Sequence, residues 1–204
     1  MLNKLKRKAL LFAASITLLG LSGFSHAQQT DNSGLGHAQQ TDNTGWWAQG
    51  KNKVTDILDN GQQSLLLSGY AYHGRHTYTP ERLEELNEKA WGFGLAKTIR
   101  NSKDNEEIVY ALGIEDSHYK PQLMAGYAYQ WNLPLGGNWE IGGGYTAMLM
   151  SRQDYFGGAP FPIALPLASI GPRGAKLMAS YVPRLSHNKG NGDVLLLFMR
   201  FDFK

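Results

Sequence analysis

The chain has no cysteine, which rules out a disulfide framework, thiolate metal ligation and a cysteine nucleophile. Beyond residue 24 no apolar run reaches the roughly 18–20 residues that a membrane helix needs. The spacings of H-E-x-x-H and EF-hand sites are missing, and the histidines are scattered, so no metal or cofactor site is read from the sequence. Charge of one sign is scarce as well. The 20 Lys and Arg against 17 Asp and Glu give +3 over all 204 residues, but that excess sits in one place. Lys4, Lys6, Arg7 and Lys8 precede an apolar stretch over 9–24, and Ser25-His26-Ala27 then offers small residues suited to cleavage. Residues 1–27 therefore read as a secretory signal peptide. Without them sixteen basic residues face seventeen acidic ones, a balance of −1, and a nucleic-acid partner loses its electrostatic support.

What is present is glycine, at 24 residues, and aromatics, at 11%. Residues 26–36 and 37–43 share the string HAQQTDN, and 28–45 read as a polar, disordered spacer. Over 46–60 the spacing of Trp46, Trp47, Val54, Ile57 and Leu58 predicts a short amphipathic helix with tryptophan at its start. From residue 64 onward, segments of about ten residues alternate with turn chemistry. The expected strands are 64–73, 89–99, 106–115, 122–132, 138–150, 161–170, 175–182 and 193–203, an even number.

The links alternate between short (101–105, 134–137, 172–174) and mostly longer (74–88, 117–121, 151–160, 184–192). Outer-membrane barrels place short turns in the periplasm and long loops outside. On that rule His73, Asp116, Ser117, Arg152 and Arg184 share the outer rim. Several segments are apolar at both parities, notably 163–168 and 194–199, which predicts a greasy interior: a packed plug or a slot for a hydrocarbon chain. Pro162, Pro166 and Pro183 cannot donate to a ladder, which marks either a lateral gap between strands or simply a bulge or strand end with no function.

A carboxylate beside a hydroxyl at a barrel rim, with histidine near, suits ester chemistry on a lipid. Adjacent strand residues point to opposite faces, so Asp116 and Ser117 can both meet His73 only if a loop begins there. The reading is His73 as general base, Asp116 orienting it, and Ser117 as nucleophile or oxyanion ligand, with His76 and His118 as rival bases. Taken singly, each of these residues is commonly structural; their shared rim is the signal.

The chain resembles the lipid A palmitoyltransferase (PagP) family of outer-membrane enzymes. The resemblance lies in Tyr72-His73, Trp91-Gly92-Phe93-Gly94-Leu95, Asp116-Ser117, Ala125-Gly126-Tyr127, Leu165-Pro166-Leu167-Ala168-Ser169, Tyr181-Val182-Pro183 and Phe198-Met199-Arg200-Phe201. It implies an all-β, eight-stranded antiparallel transmembrane barrel over 64–204 behind the helix. It also implies acyl transfer from a glycerophospholipid donor to a hydroxyacyl chain of lipid A. The catalytic residues would be His73, Asp116 and Ser117, and the lateral lipid gate Pro166 and Pro183. Ala128 falls where the family's acyl-pocket floor is commonly glycine, implying a slightly shallower slot and palmitate or a somewhat shorter chain. Arg152 is a rim cation suited to a lipid headgroup. Ser68 and Ala90 replace family prolines, so the seam between the first two strands should be tighter. A hydrolase on the same rim, or a non-enzymatic structural barrel, are the other readings; monomer and homodimer are both compatible.

Overall fold

The computed structural model describes residues 45–184 and 192–203; the leader and the duplicated spacer lie outside them. Helix α1 (Trp46–Asn60) comes first, followed by strands β1 (Gln62–His73), β2 (Gly92–Arg100), β3 (Glu106–Glu115), β4 (Pro121–Gly136), β5 (Trp139–Arg152), β6 (Phe161–Pro172), β7 (Ala175–Val182) and β8 (Val194–Asp202). A short helix, α2 (Pro80–Glu84), interrupts the β1–β2 loop, and a 3-10 turn (Phe156–Gly158) the β5–β6 loop. Each strand pairs antiparallel with its neighbours, and β1 closes on β8 to form a closed barrel. Closure satisfies the backbone without a free edge, which is what allows strands to cross a bilayer.

Alternation does the sorting. Along β4, Gln122, Met124, Ala128, Gln130 and Asn132 are buried while Leu123, Trp131 and Leu133 are exposed. On the outer wall near the short turns Tyr129, Trp131 and Tyr145 cluster with ring centroids 5.1–6.2 Å apart. Tyr70, Tyr72, Trp91, Tyr119 and Tyr181 stand exposed toward the long-loop end. Two aromatic bands flanking an apolar wall are the girdles of a membrane barrel. Helix α1 lies against β2 and β3: Ile57 is buried, and Lys53 reaches Glu107 at 2.8 Å.

The interior differs from the uniformly greasy one that the apolar runs suggest. An apolar cluster of Leu66, Ile108, Leu112, Ile114, Leu165 and Leu167 with Met124, Met148, Met150 and Met178 fills the interior from the middle to the long-loop end. Its inner half, beside the short turns, is ionic. Glu106 accepts from Arg200 (3.0 and 2.9 Å), Lys176 (2.9 Å) and Arg100 (2.6 Å), and Glu140 pairs with Arg100 (2.5 Å) and Lys176. Lys176 and Arg200 are both 0% exposed. Such charges persist out of water only when each has its counter-charge and hydrogen bonds. Inward positions on β2, β3, β5, β7 and β8 supply these charges, one per strand, which is why no single segment betrays the plug.

Two further differences concern the seams. Strand β2 begins at Gly92, not Lys89, because the chain before it is tied to β1 by the Ala71 N–H donating to the Glu88 carbonyl (2.8 Å). The β1–β2 ladder ends at Ser68↔Gly92 although neither Ser68 nor Ala90 is proline, so the expected tightening does not extend it.

Candidate active site

His73 ends β1, and a bulge decides which way it points. Ser64, Leu66 and Ser68 face inward; the register against β8 then slips between Ser68 and Tyr70, and Ala71 and His73 face inward instead. The extra residue is Gly69, packed beneath the Trp91 ring, where a Cβ would sit 3.3 Å from the indole. A bulge reverses face parity beyond it. Without it, His73 would face lipid. The imidazole is 1% exposed and meets Tyr78 edge-on at 5.3 Å.

Strand β3 ends at Glu115, so Asp116 and Ser117 open the β3–β4 loop and escape strand alternation. Ser117 Oγ lies 3.0 Å from His73 Nε2. Asp116 does not complete a linear relay. Its Oδ1 accepts from the His118 and Lys120 amides (2.8 and 2.9 Å), the self-closing turn that an Asp favours. Its Oδ2 lies 3.5 Å from Arg152, whose guanidinium also donates to Asp154 through Nε and NH2 at 3.0 Å each. Asp116 thus shapes the turn that presents Ser117, in place of the contact with His73 expected of it. Arg152 reaches the rim, but two carboxylates engage it, and headgroup contact requires exchanging one of them. Asp116, His118 and Asp154 bring potential ligand atoms within 4.8 Å of one another, with Arg152 as the cation of two of them.

The carboxylate beside the imidazole is Glu88, which the sequence reading overlooked. Its Oε1 accepts the His73 backbone N–H at 3.0 Å and lies 3.4 Å from Nδ1. Arg75 grips it with two nitrogens (2.6 and 2.9 Å), and Tyr70 donates at 3.1 Å. Those Arg75 hydrogen bonds hold the Glu88 carboxyl down at about 2. Asn87, buried beside it, donates its backbone N–H to the Ser117 carbonyl at 2.9 Å.

Ala128 is 1% exposed and lies across the β3–β4–β5 wall between Ile108 and Thr146. The next inward residue of β4, Gln130, bonds Ser169 at 3.2 Å. Ala128 therefore stands where apolar lumen gives way to polar lumen. Tyr110, from β3, reaches Thr146 at 2.8 Å on the same level. Pro166 and Pro183 flank the shortest seam. The β6–β7 ladder runs only from Leu167↔Ser180 to Ile170↔Leu177, leaving 161–166 paired to β5 alone and 181–182 to β8 alone.

These features define a class: a membrane-type β-barrel with a Ser–His pair at the rim of an apolar half-lumen. A family model described as "Antimicrobial peptide resistance and lipid A acylation protein PagP" matches residues 53–200. The chain is 40% identical over 162 residues to the Lipid A acyltransferase PagP of Bordetella pertussis, covering 78% of this chain and 87% of that protein. The protein of the same name from Methylobacillus flagellatus is 33% identical (78% and 84% covered), and that from Legionella pneumophila 36% (71% and 76%). The chain belongs to the PagP family.

Proposed function

We propose that this outer-membrane barrel moves a fatty acyl chain from a glycerophospholipid to a hydroxyacyl chain of lipid A, using His73 and Ser117 as its reacting pair. The observation that carries the reading is Ser117 Oγ, 3.0 Å from His73 Nε2, at the rim of the methionine-lined half-lumen. A nucleophile within hydrogen-bond reach of a base is the signature of covalent acyl transfer. Methionine is unbranched and conformationally adaptable, so a lining of four of them can yield to an incoming chain.

The donor enters through the short β6–β7 seam beside Pro166 and Pro183, and its chain descends toward Ala128. Ser117 Oγ attacks the ester carbonyl while His73 Nε2 takes the hydroxyl proton. The proton passes to the glycerol oxygen as the C–O bond breaks, releasing a lysophospholipid. The lipid A hydroxyl then attacks the acyl-serine, giving its proton to His73, and Ser117 recovers a proton as the new ester departs. Asp116 contributes by fixing the turn that carries Ser117. Residues 1–27 serve as the export signal and are removed. The reaction as proposed requires no metal or cofactor.

Mass spectrometry of lipid A incubated with the purified barrel and phosphatidylethanolamine tests this. Lipid A gaining one acyl mass supports transfer; free fatty acid alone indicates hydrolysis. His73→Ala should abolish the gain while the heat-modifiable gel mobility of the folded barrel is kept. Full transfer by folded His73→Ala overturns the assignment.

A further inference from the structure

We infer that Glu88 is a positioning residue that holds His73 in the tautomer able to take a proton from Ser117. The inference rests on the acyl-transfer reading above, because it concerns how that reading's base is prepared. For Nε2 to accept the Ser117 proton, the ring's own proton must sit on Nδ1, and the group opposite decides which nitrogen carries it. Nδ1 is buried and lacks a hydrogen bond at its present angle, and Glu88 Oε1 stands 3.4 Å away. A buried ring nitrogen without a partner is unfavourable, and a small ring rotation gives it this carboxylate.

The carboxylate is built to stay there. Arg75 holds both oxygens in a fork, Tyr70 bonds Oε2, and the Arg75 guanidinium donates back to the His73 carbonyl at 3.0 Å while lying 4.7 Å over the Tyr72 ring. The Ala71 carbonyl is another acceptor near the ring, and the Ala71 N–H is itself tied to the Glu88 carbonyl at 2.8 Å. Asn87 binds the Ser117 carbonyl, so one dipeptide of the β1–β2 loop grips both halves of the reacting pair. Asp116, turned to its own loop and to Arg152, is not available for the task. A carboxylate that only stapled the loop would need Arg75 and Tyr70 but no approach to Nδ1.

The test uses the full barrel in detergent, with Glu88→Gln, Glu88→Asp and His73→Ala, each checked for folding by heat-modifiable mobility. Glu88→Gln retains an acceptor for the backbone but loses the charge. Its kcat should fall ~10–100-fold, the range typical of groups that orient a catalytic ligand, with KM for phospholipid within about twofold. Glu88→Asp should restore part of the loss. The 15N spectrum of His73 should show the Nδ1–H tautomer in the unaltered protein and a shift toward Nε2–H in Glu88→Gln. A kcat unchanged by Glu88→Gln overturns the inference. So does an Nε2–H imidazole in the unaltered protein, which needs no variant to fold. If His73→Ala is inactive and Glu88→Gln fully active, this inference fails while acyl transfer stands; if folded His73→Ala is active, acyl transfer itself fails.

Discussion

The two halves of the barrel interior are built from the same strands and do opposite things. Toward the long loops the lumen is leucine, isoleucine and methionine beneath the His73–Ser117 rim; toward the short turns it is Glu106, Glu140, Arg100, Lys176 and Arg200, locked together. The ionic half closes the floor and leaves a hydrocarbon chain nothing to displace except paired charge. The apolar half can trade one apolar contact for another at little cost. On the acyl-transfer proposal, chain depth would be set where the lining changes, between Ala128 and Gln130. Division along the barrel axis matters here as much as the division between lumen and lipid.

The comparison is most sharply broken at the rim. His73→Ala should lower transfer by about 10²–10⁴-fold, the range typical of a lost general base, with the urea midpoint of the barrel unmoved. Arg200→Leu should do the reverse. It strands Glu106 and Asp202 with fewer counter-charges, and breaking a buried ion pair from one side costs about 3–5 kcal/mol. Urea unfolding in detergent should register that loss, while transfer per folded molecule stays near the unaltered value. A large drop in specific activity would show that the two halves are not independent.

At the boundary the effect should be smaller. Ala128→Gly removes a methyl from the proposed floor, and one methylene of burial is worth about 0.8 kcal/mol. The product ratio for donors differing by one carbon should move about fourfold toward the longer chain, read by mass spectrometry after competition between defined phospholipids. No change would place the floor elsewhere, with Tyr110 the next residue to vary.

The smallest effect concerns the loop above the rim. The Glu88 carboxyl is held at about 2, below its ordinary 4.5, chiefly by Arg75. A carboxyl depressed in the folded state stabilises fully above its unfolded value and loses that contribution as pH falls through the folded one. The 74–91 loop should therefore loosen between pH 4.5 and about 2 while the barrel persists. Pepsin, active across this range, should cut that loop faster at pH 2 than at pH 4.5 relative to a denatured control; equal relative rates would sink the idea.

Much of the architecture was legible in the residues. Turn chemistry at 101–105, 134–137 and 172–174, set against longer links elsewhere, is enough to put His73, Asp116, Ser117 and Arg152 at one end. Strand limits were less so: β4 runs further than expected, to Gly136, and β5 to Arg152, since the ladder between them extends from Gln122↔Arg152 past Pro134 to Gly136↔Trp139. The bulge left one trace, a glycine inside a strand, and such a glycine is a bulge signal. Glu88 left none, because its partners Arg75 and His73 are brought to it only by the folding back of the loop.

Alternation, length and turn residues are local, so a closed barrel of eight antiparallel strands, and the end that carries His73, Asp116 and Ser117, follow from the chain alone. The direction His73 faces, the carboxylate beside it, and the level where apolar lining yields to charge depend on register between strands distant in sequence. Register is settled when the whole ladder closes, and only the tertiary structure decided those.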